Sequence, residues 1–334
     1  MGIEIKSAGL LTTIQDSGRY GFRKYGIIVS GAMDGFAHRI ANILVGNEEK
    51  DAVLEATLIG PKILIKEDTL ISICGGDLSP QINNCDVPMW RPVYVKGGSI
   101  LSFSKCVVGS RTYVAFAGSF NIEKIMESKS TYMRAEIGGY EGRALKKGDV
   151  LKLNDISHIG NRIANNLLKD VNCYGFAATK WFIGGEVLPK YDASPIVRVI
   201  ADGQYDCFDD ESKKNFFQNK FMITSQSDRM GYRLKGNNLS LKEPLEMISE
   251  AVSLGTVQVP ADGNPIILLA DRQTTGGYPK IAQVISVDIP IIAQLKPGDR
   301  LGFQKISLEE AQSLYILREM YIEDLKRGIK IKME

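Results

Sequence analysis

Directly after the apolar run "PIILL" (265–269) the chain reads "ADRQTTGGYPK" (270–280). Six successive residues, Asp271 to Gly276, are hydrogen-bonding or glycine, and Gly277 and Tyr278 follow. A loop that only reversed direction would not need an Asp, an Arg, a Gln and two Thr hydroxyls together. Placed at the end of a buried strand, Asp271, Arg272, Gln273, Thr274, Thr275, Gly276, Gly277 and Tyr278 make a convergent set of donors and acceptors, suited to binding or catalysis. A second polar segment, "SEAVSLGTVQVPADGNP" (249–265), offers Ser249, Glu250 and Gln258 between glycines, and it also reads as an ordinary hairpin. A third, "QDSGR" (15–19), puts Gln15, Asp16 and Arg19 in a glycine-containing turn. There the backbone can approach a ligand, and an arginine offers a two-pronged grip on a carboxylate. The plainer alternative is an Asp-Ser-Gly turn with an Asp–Arg surface pair.

Several chemistries are excluded or disfavoured. The chain has no G-x-x-x-x-G-K-[ST] loop, and no G-x-G-x-x-G opens a helix after a strand. Its two histidines, His38 and His158, stand in unrelated contexts, which disfavours a histidine metal centre or a Ser-His-Asp triad. The five cysteines are scattered without a C-x-x-C pair, as expected of reduced thiols in a cytoplasmic protein. Lys and Arg number 41 against 39 Asp and Glu, so no electrostatic footprint for nucleic acid is present. The apolar runs fall far short of the roughly 20 residues a membrane span needs. The N-terminus lacks the layout of a signal peptide, and Lys6 stands where a myristoylation pattern wants Ser or Thr.

The elements that must position these residues read mainly as strands. "KILIKEDTLISICG" (62–75), "TYVAFAG" (112–118), "SPIVRVIADG" (194–203) and "NPIILLAD" (264–271) are β-rich runs bounded by turn residues. Asp34 is placed to cap a helix over 35–45 that ends at Gly46; uncapped, the "SGAMD" helix end would suit an anion. A second helix is predicted over about 209–219. A third opens at Ser307 with Glu310 as a capping box, lines Leu308, Ala311, Leu314, Leu317 and Tyr321 on one face, and closes at Gly328. Two echoes organise the chain. "RYGFR" (19–23) recurs as "RMGYR" (229–233), and "LKKGDVL" (145–151) as "LKPGDRL" (295–301), in the same order. They argue for two copies of one β-rich unit, the first carrying an insertion, with 1–190 and 191–334 as the expected domains.

"TTIQDSGRYGF", "SGAMD", "ANILVGN" (41–47), "SQSDRMGYRL" (225–234), "GTVQVPADGNPIILLADRQTTGGYPKIA" (255–282) and "LKPGD" resemble the KipA/allophanate hydrolase subunit 2 family, which includes the C component of 5-oxoprolinase and biotin-dependent carboxyltransferase domains. The resemblance covers roughly residues 3–305. It implies a mainly β fold of two tandem cyclophilin-like β-barrels with a few short helices. It further implies a component that, with a KipI-like B component and a LamB/YcsF-like A component, opens 5-oxo-L-proline to L-glutamate using ATP with Mg2+, and that is inactive alone. Two other outputs stand in the same family: a carboxyltransferase served by a biotin carrier and acting on urea or another amide, and a binding protein that sequesters a KipI-like kinase inhibitor. For lactam opening, phosphorylation of the amide oxygen by ATP would make a better leaving system. For such a reaction the residue types suggest Arg19 or Arg272 for the substrate carboxylate. Gln273, Thr274, Thr275 and glycine N–H groups would serve charge on oxygen, and Asp271 or Asp16 would be the acid or base.

Overall fold

The computed structural model describes residues 2–333 and is mainly β, with twenty-one strands and five α-helices. Two compact units divide it. One holds the chain up to Arg19, Asp34–Leu188 and the chain from Ile322 onward; the other holds Tyr20–Met33 and Pro189–Tyr321. The units are therefore not contiguous in sequence, because residues 20–33 pack with the second half of the chain.

In the first unit two six-stranded sheets share one core. The first sheet runs Val150–Lys152, Gly2–Ser7, Lys62–Ile65, Ile100–Phe103, Pro80–Ile82, Cys85–Asp86. The second runs Phe176–Ala178, Pro92–Val95, Thr69–Asp77, Val108–Phe116, Val53–Thr57, Leu11–Gln15. Alternate residues supply the core, as the two-residue period of a strand requires: Ile3 and Ile5, Ile63 and Ile65, Ile71 and Ile73, Val93 and Val95 are all fully buried. The single run expected over 62–75 is thus two strands in different sheets, broken at 66–68 where Lys, Glu and Asp interrupt the apolar sequence.

The second unit is a closed seven-stranded barrel in the order Ile196–Ala201, Lys280–Val284, Thr256–Gln258, Ile266–Leu268, Gly231–Lys235, Phe221–Ile223, Arg300–Lys305. The closing pair, Ile196–Ala201 with Arg300–Lys305, is parallel and the other pairs are antiparallel. Its core includes Val197, Val199, Tyr232, Leu234, Val257, Ile267 and Val284, with Phe216 stacked on Phe303 at 4.3 Å. Met33 is buried in this core, which anchors the end of the 20–33 segment.

The Lys-x-Gly-Asp echo corresponds to repeated local geometry. In each Lys-x-Gly-Asp turn the Asp carboxylate accepts from a lysine N–H (Lys146 N at 2.7 Å from Asp149, Lys296 N at 3.0 Å from Asp299). Gly148 and Gly298 both take φ +94°, a left-handed conformation that favours glycine. The Arg-Gly echo does not repeat in this way: Gly231 lies in the strand Gly231–Lys235, whereas Gly21 takes a left-handed φ of +90°.

The helix Gly35–Leu44 is capped as expected, Asp34 accepting from Ala37 N at 2.9 Å, so its carboxylate takes the place an anion would occupy. Asp209 caps Asp210–Gln218 in the same way. A further helix, His158–Leu168, has Ser157 as its cap and buries Ile163, Ala164 and Leu167. The expected C-terminal helix is longer than its sequence signals suggest, running Leu308–Met333 straight through Gly328. Gly328 there meets no neighbour and has no left-handed φ. Its cost of about 1 kcal/mol is offset by burial of Ile329 and Met333 beyond it. The face expected from Leu308 to Tyr321 is not buried as a stripe: Leu308 and Leu317 are 52% and 61% exposed, and the buried residues are Ile322, Ile329 and Met333. The capping box is present, with Ser307 N to Glu310 Oε2 at 2.8 Å and Glu310 N to Ser307 Oγ at 3.1 Å. Ser307→Ala is expected to cost about 1 kcal/mol of helix stability, read as lost far-UV helical signal on heating.

Candidate functional site

In the second unit, the strand Ile266–Leu268 delivers the polar loop. Past the strand, Leu269 N donates to Met230 O at 2.9 Å and Asp271 N to Arg229 O at 2.8 Å, so Asp271 lies alongside Arg229. The two form a buried ion pair, Arg229 Nε and Nη2 meeting the two carboxylate oxygens at 3.0 and 3.1 Å. Ser30 Oγ donates to the same carboxylate at 2.7 Å, and Arg229 also donates to Gly31 O. Asp271 therefore ties segment 20–33 to the barrel, with both of its oxygens occupied by donors.

Arg272 is in the opposite situation. It is 9% exposed, and its side chain donates from Nη1 to Leu269 O at 3.2 Å. Its Nε is enclosed and has no acceptor among the described residues. The strongest charge acting on it is a like charge. Arg23, carried on the 20–33 segment, reaches into the loop and donates to Thr274 O at 3.1 Å and to Val252 O. Burial, reinforced by the Arg23 charge and opposed by Tyr20, pulls the Arg272 guanidinium down to about 10. That depression is a cost of about 3 kcal/mol to the folded state. The cost is present in full at every pH below about 10 and fades only as the pH climbs from there toward the ordinary arginine value.

The rest of the loop is braced from one side and open on the other. Thr275–Gly276 pairs with Glu250–Ala251, and buried Gln258 donates from Nε2 to Tyr278 O at 3.3 Å. A Cβ on Gly276 would sit 2.5 Å from that amide nitrogen, so only glycine lets Gln258 lie flat beneath the loop. Glu250 pairs with Lys280 at 2.7 Å on the rim, a contact worth little in solvent. Thr275, Gly277 and Tyr278 are exposed, and Gln273 and Thr274 are half-buried.

Gln15, Asp16 and Arg19 belong to the first unit and are knotted into it. The Asp16 carboxylate accepts from Gly18 N, Ser128 Oγ, Ser130 Oγ and Lys129 N. Arg19 is fully buried and donates to the carbonyls of Ile125 and Ser130, each at 2.9 Å. Gln15 donates to Thr131 O and Thr13 Oγ1, each at 3.1 Å. The effect of all three is to hold the 125–131 segment. Both carboxylates offered as acid or base, Asp16 and Asp271, are thus filled with donors. The structure gathers 271–278, 250, 258 and the 20–33 segment in one unit, and groups 15, 16 and 19 in the other.

Reading residue types along the sequence singled out neither Arg229, Ser30 nor Arg23. The signal for two of them was on hand: the "RYGFR"/"RMGYR" echo contains both Arg23 and Arg229. Among the described residues no three His, Cys, Asp or Glu side chains gather as metal ligands, and no helix is long and apolar enough to cross a membrane.

A family model described as "Carboxyltransferase domain, subdomain A and B" matches residues 25–305. The chain is 36% identical to the C component of 5-oxoprolinase from Haemophilus influenzae over 330 residues, covering 99% of both chains. It is also 36% identical to the 5-oxoprolinase C component of Escherichia coli, with 97% of each covered. It is 32% identical to the urea amidolyase of Lachancea kluyveri, covering 97% of this chain but 18% of that one. Among solved structures, the urea amidolyase of K. lactis superimposes with a TM-score of 0.86 at 30% identity, over 97% of this chain and 20% of that one.

Proposed function

Because the chain belongs to the carboxyltransferase-domain family, subdomains A and B, we propose that it is the C component of an ATP-dependent 5-oxoprolinase. Two relatives bearing that name match end to end, whereas the urea amidolyase match is to about a fifth of a longer chain. In this reading a KipI-like B component and a LamB/YcsF-like A component complete the enzyme, which opens 5-oxo-L-proline to L-glutamate in the cytoplasm. ATP with Mg2+ enters as co-substrate of the assembly.

The observation that carries the reading at the level of residues is Arg272: a buried guanidinium, on the loop of densest polar chemistry, with no ion pair to a carboxylate among the described residues. An acidic ligand of the reaction, such as the substrate once its amide oxygen is phosphorylated, supplies the missing partner. Thr274, Thr275 and the N–H groups of Gly276 and Gly277 lie on the same loop, where they serve charge on the amide oxygen as the ring opens. Gln258 and the Arg229–Asp271 pair hold that loop in place.

The test is to co-express the chain with its B and A partners and measure glutamate formed from 5-oxoproline and ATP. Glutamate from the full set alone supports the reading; none from three folded components overturns it. The superposition on urea amidolyase favours a second reading, carboxyl transfer to urea or another amide from a biotin carrier. Stimulation of turnover by a biotinylated carrier protein distinguishes it.

A further inference from the structure

We propose that Arg23 and Arg272 form a binding site for a doubly charged oxyanion of the phosphate class. The inference rests on the reading of the loop above and deepens it by naming the charge of the ligand. Two guanidiniums act on one another inside the second unit, and neither has an acidic partner among the described residues. The carboxylates closest in sequence or across the strand pair are committed elsewhere: Asp271 to Arg229 and Ser30, Glu250 to Lys280. Arg23 donates to the Val252 and Thr274 carbonyls, and Arg272 to the Leu269 carbonyl. Carbonyl oxygens satisfy N–H groups, but they do not neutralise the buried charge of Arg272 or the half-buried charge of Arg23.

A monocarboxylate would leave one charge uncompensated, whereas a phosphate-class dianion matches both. Its three equivalent oxygens can meet two guanidiniums at once, as arginine clusters do in phosphate recognition. The segment that carries Arg23 is exposed: the short turn Arg23–Tyr25 lies between Gly21 and Gly26, both at left-handed φ, and Tyr25 on it and Tyr20 just before it are 67% and 68% exposed. Within this turn, Arg23 is the residue whose side chain ties it to the loop.

The experiment uses the isolated full chain in a neutral, phosphate-free buffer at constant ionic strength. Thermal unfolding is followed while inorganic phosphate, acetyl phosphate, Mg-free ATP and 5-oxo-L-proline are each titrated. Saturable stabilisation by the phosphate compounds, with a smaller response to 5-oxo-L-proline, is expected. Arg23→Gln and Arg272→Gln should each weaken it about tenfold or more. Preference for ATP over the two small phosphates assigns the site to a nucleotide; the reverse assigns it to a phosphorylated small molecule. The proposal is overturned by no saturable response to any phosphate compound, by an equal or larger response to 5-oxo-L-proline, or by phosphate binding that survives in both variants. Because binding to this chain alone is read, failure here leaves the assembled enzyme's activity untouched, and loss of that activity leaves this result standing.

Discussion

Arg272→Met is expected to lower kcat/KM of the assembled enzyme at least about 30-fold, the loss of a charge-assisted anion contact worth roughly 2–5 kcal/mol. Its folded stability should stay level or rise. The two halves of this expectation have one cause. The guanidinium is buried under the influence of a like charge and without an acidic partner among the described residues, so it costs the unliganded protein stability and gains its compensation from a ligand. Methionine keeps the apolar stem and removes the charge. Steady-state kinetics and a thermal melt on the same preparation check both halves. Unchanged kcat/KM would remove Arg272 from the site, and a melt several degrees lower would make it a structural residue.

Asp271→Ala is expected to fail differently, by loosening the barrel's polar end at a cost of about 3–5 kcal/mol. Removing this carboxylate leaves the Arg229 guanidinium buried without its counter-charge and frees Ser30 from the loop. Removing both charges together, in Asp271→Leu with Arg229→Met, should recover most of the loss, because the penalty lies in the orphaned partner and not in the missing attraction. Hydrogen exchange of the strand Ile266–Leu268 reads this locally. A single-variant loss below about 1 kcal/mol, as for an exposed pair, would sink the argument.

These two neighbours in sequence show where reading residues along the chain stops. The segment 271–278 was recognisable as a site candidate from its polar density, and the strand before it from its β-branched run. The caps at Asp34 and Ser307 were also legible, because a cap is a contact between residues three apart. What separates Asp271 from Arg272 is not local. Arg229 lies 42 residues away from Asp271 in sequence and Ser30 lies 241 away, and only the fold brings them together. Arg19 and Arg272 are equivalent as letters in glycine-containing turns. Yet Arg19 is fully buried and meets the Ile125 and Ser130 carbonyls, while Arg272 meets one carbonyl, that of Leu269. The helix His158–Leu168 went unread although its "RIAN" repeats the "RIAN" of Gly35–Leu44. Its face is diluted by asparagines, so periodicity alone did not raise it above a loop. Gly328 misled in the other direction: a glycine late in a helix marks an end only if nothing beyond it is buried.

The parallel pair that closes the barrel carries a consequence for how the chain is made. Val197 is paired with Phe303, 106 residues later, and Arg300–Lys305 bonds to Phe221–Ile223 on its other side. Until that last strand leaves the ribosome, both Ile196–Ala201 and Phe221–Ile223 present an unpaired edge, the template on which chains aggregate. Contacts so distant in sequence also make closure slow. A nascent chain stalled or truncated before residue 300 is therefore an open sheet seeking a strand, and a peptide spanning Arg300–Lys305, supplied in trans, is what should rescue it from aggregation.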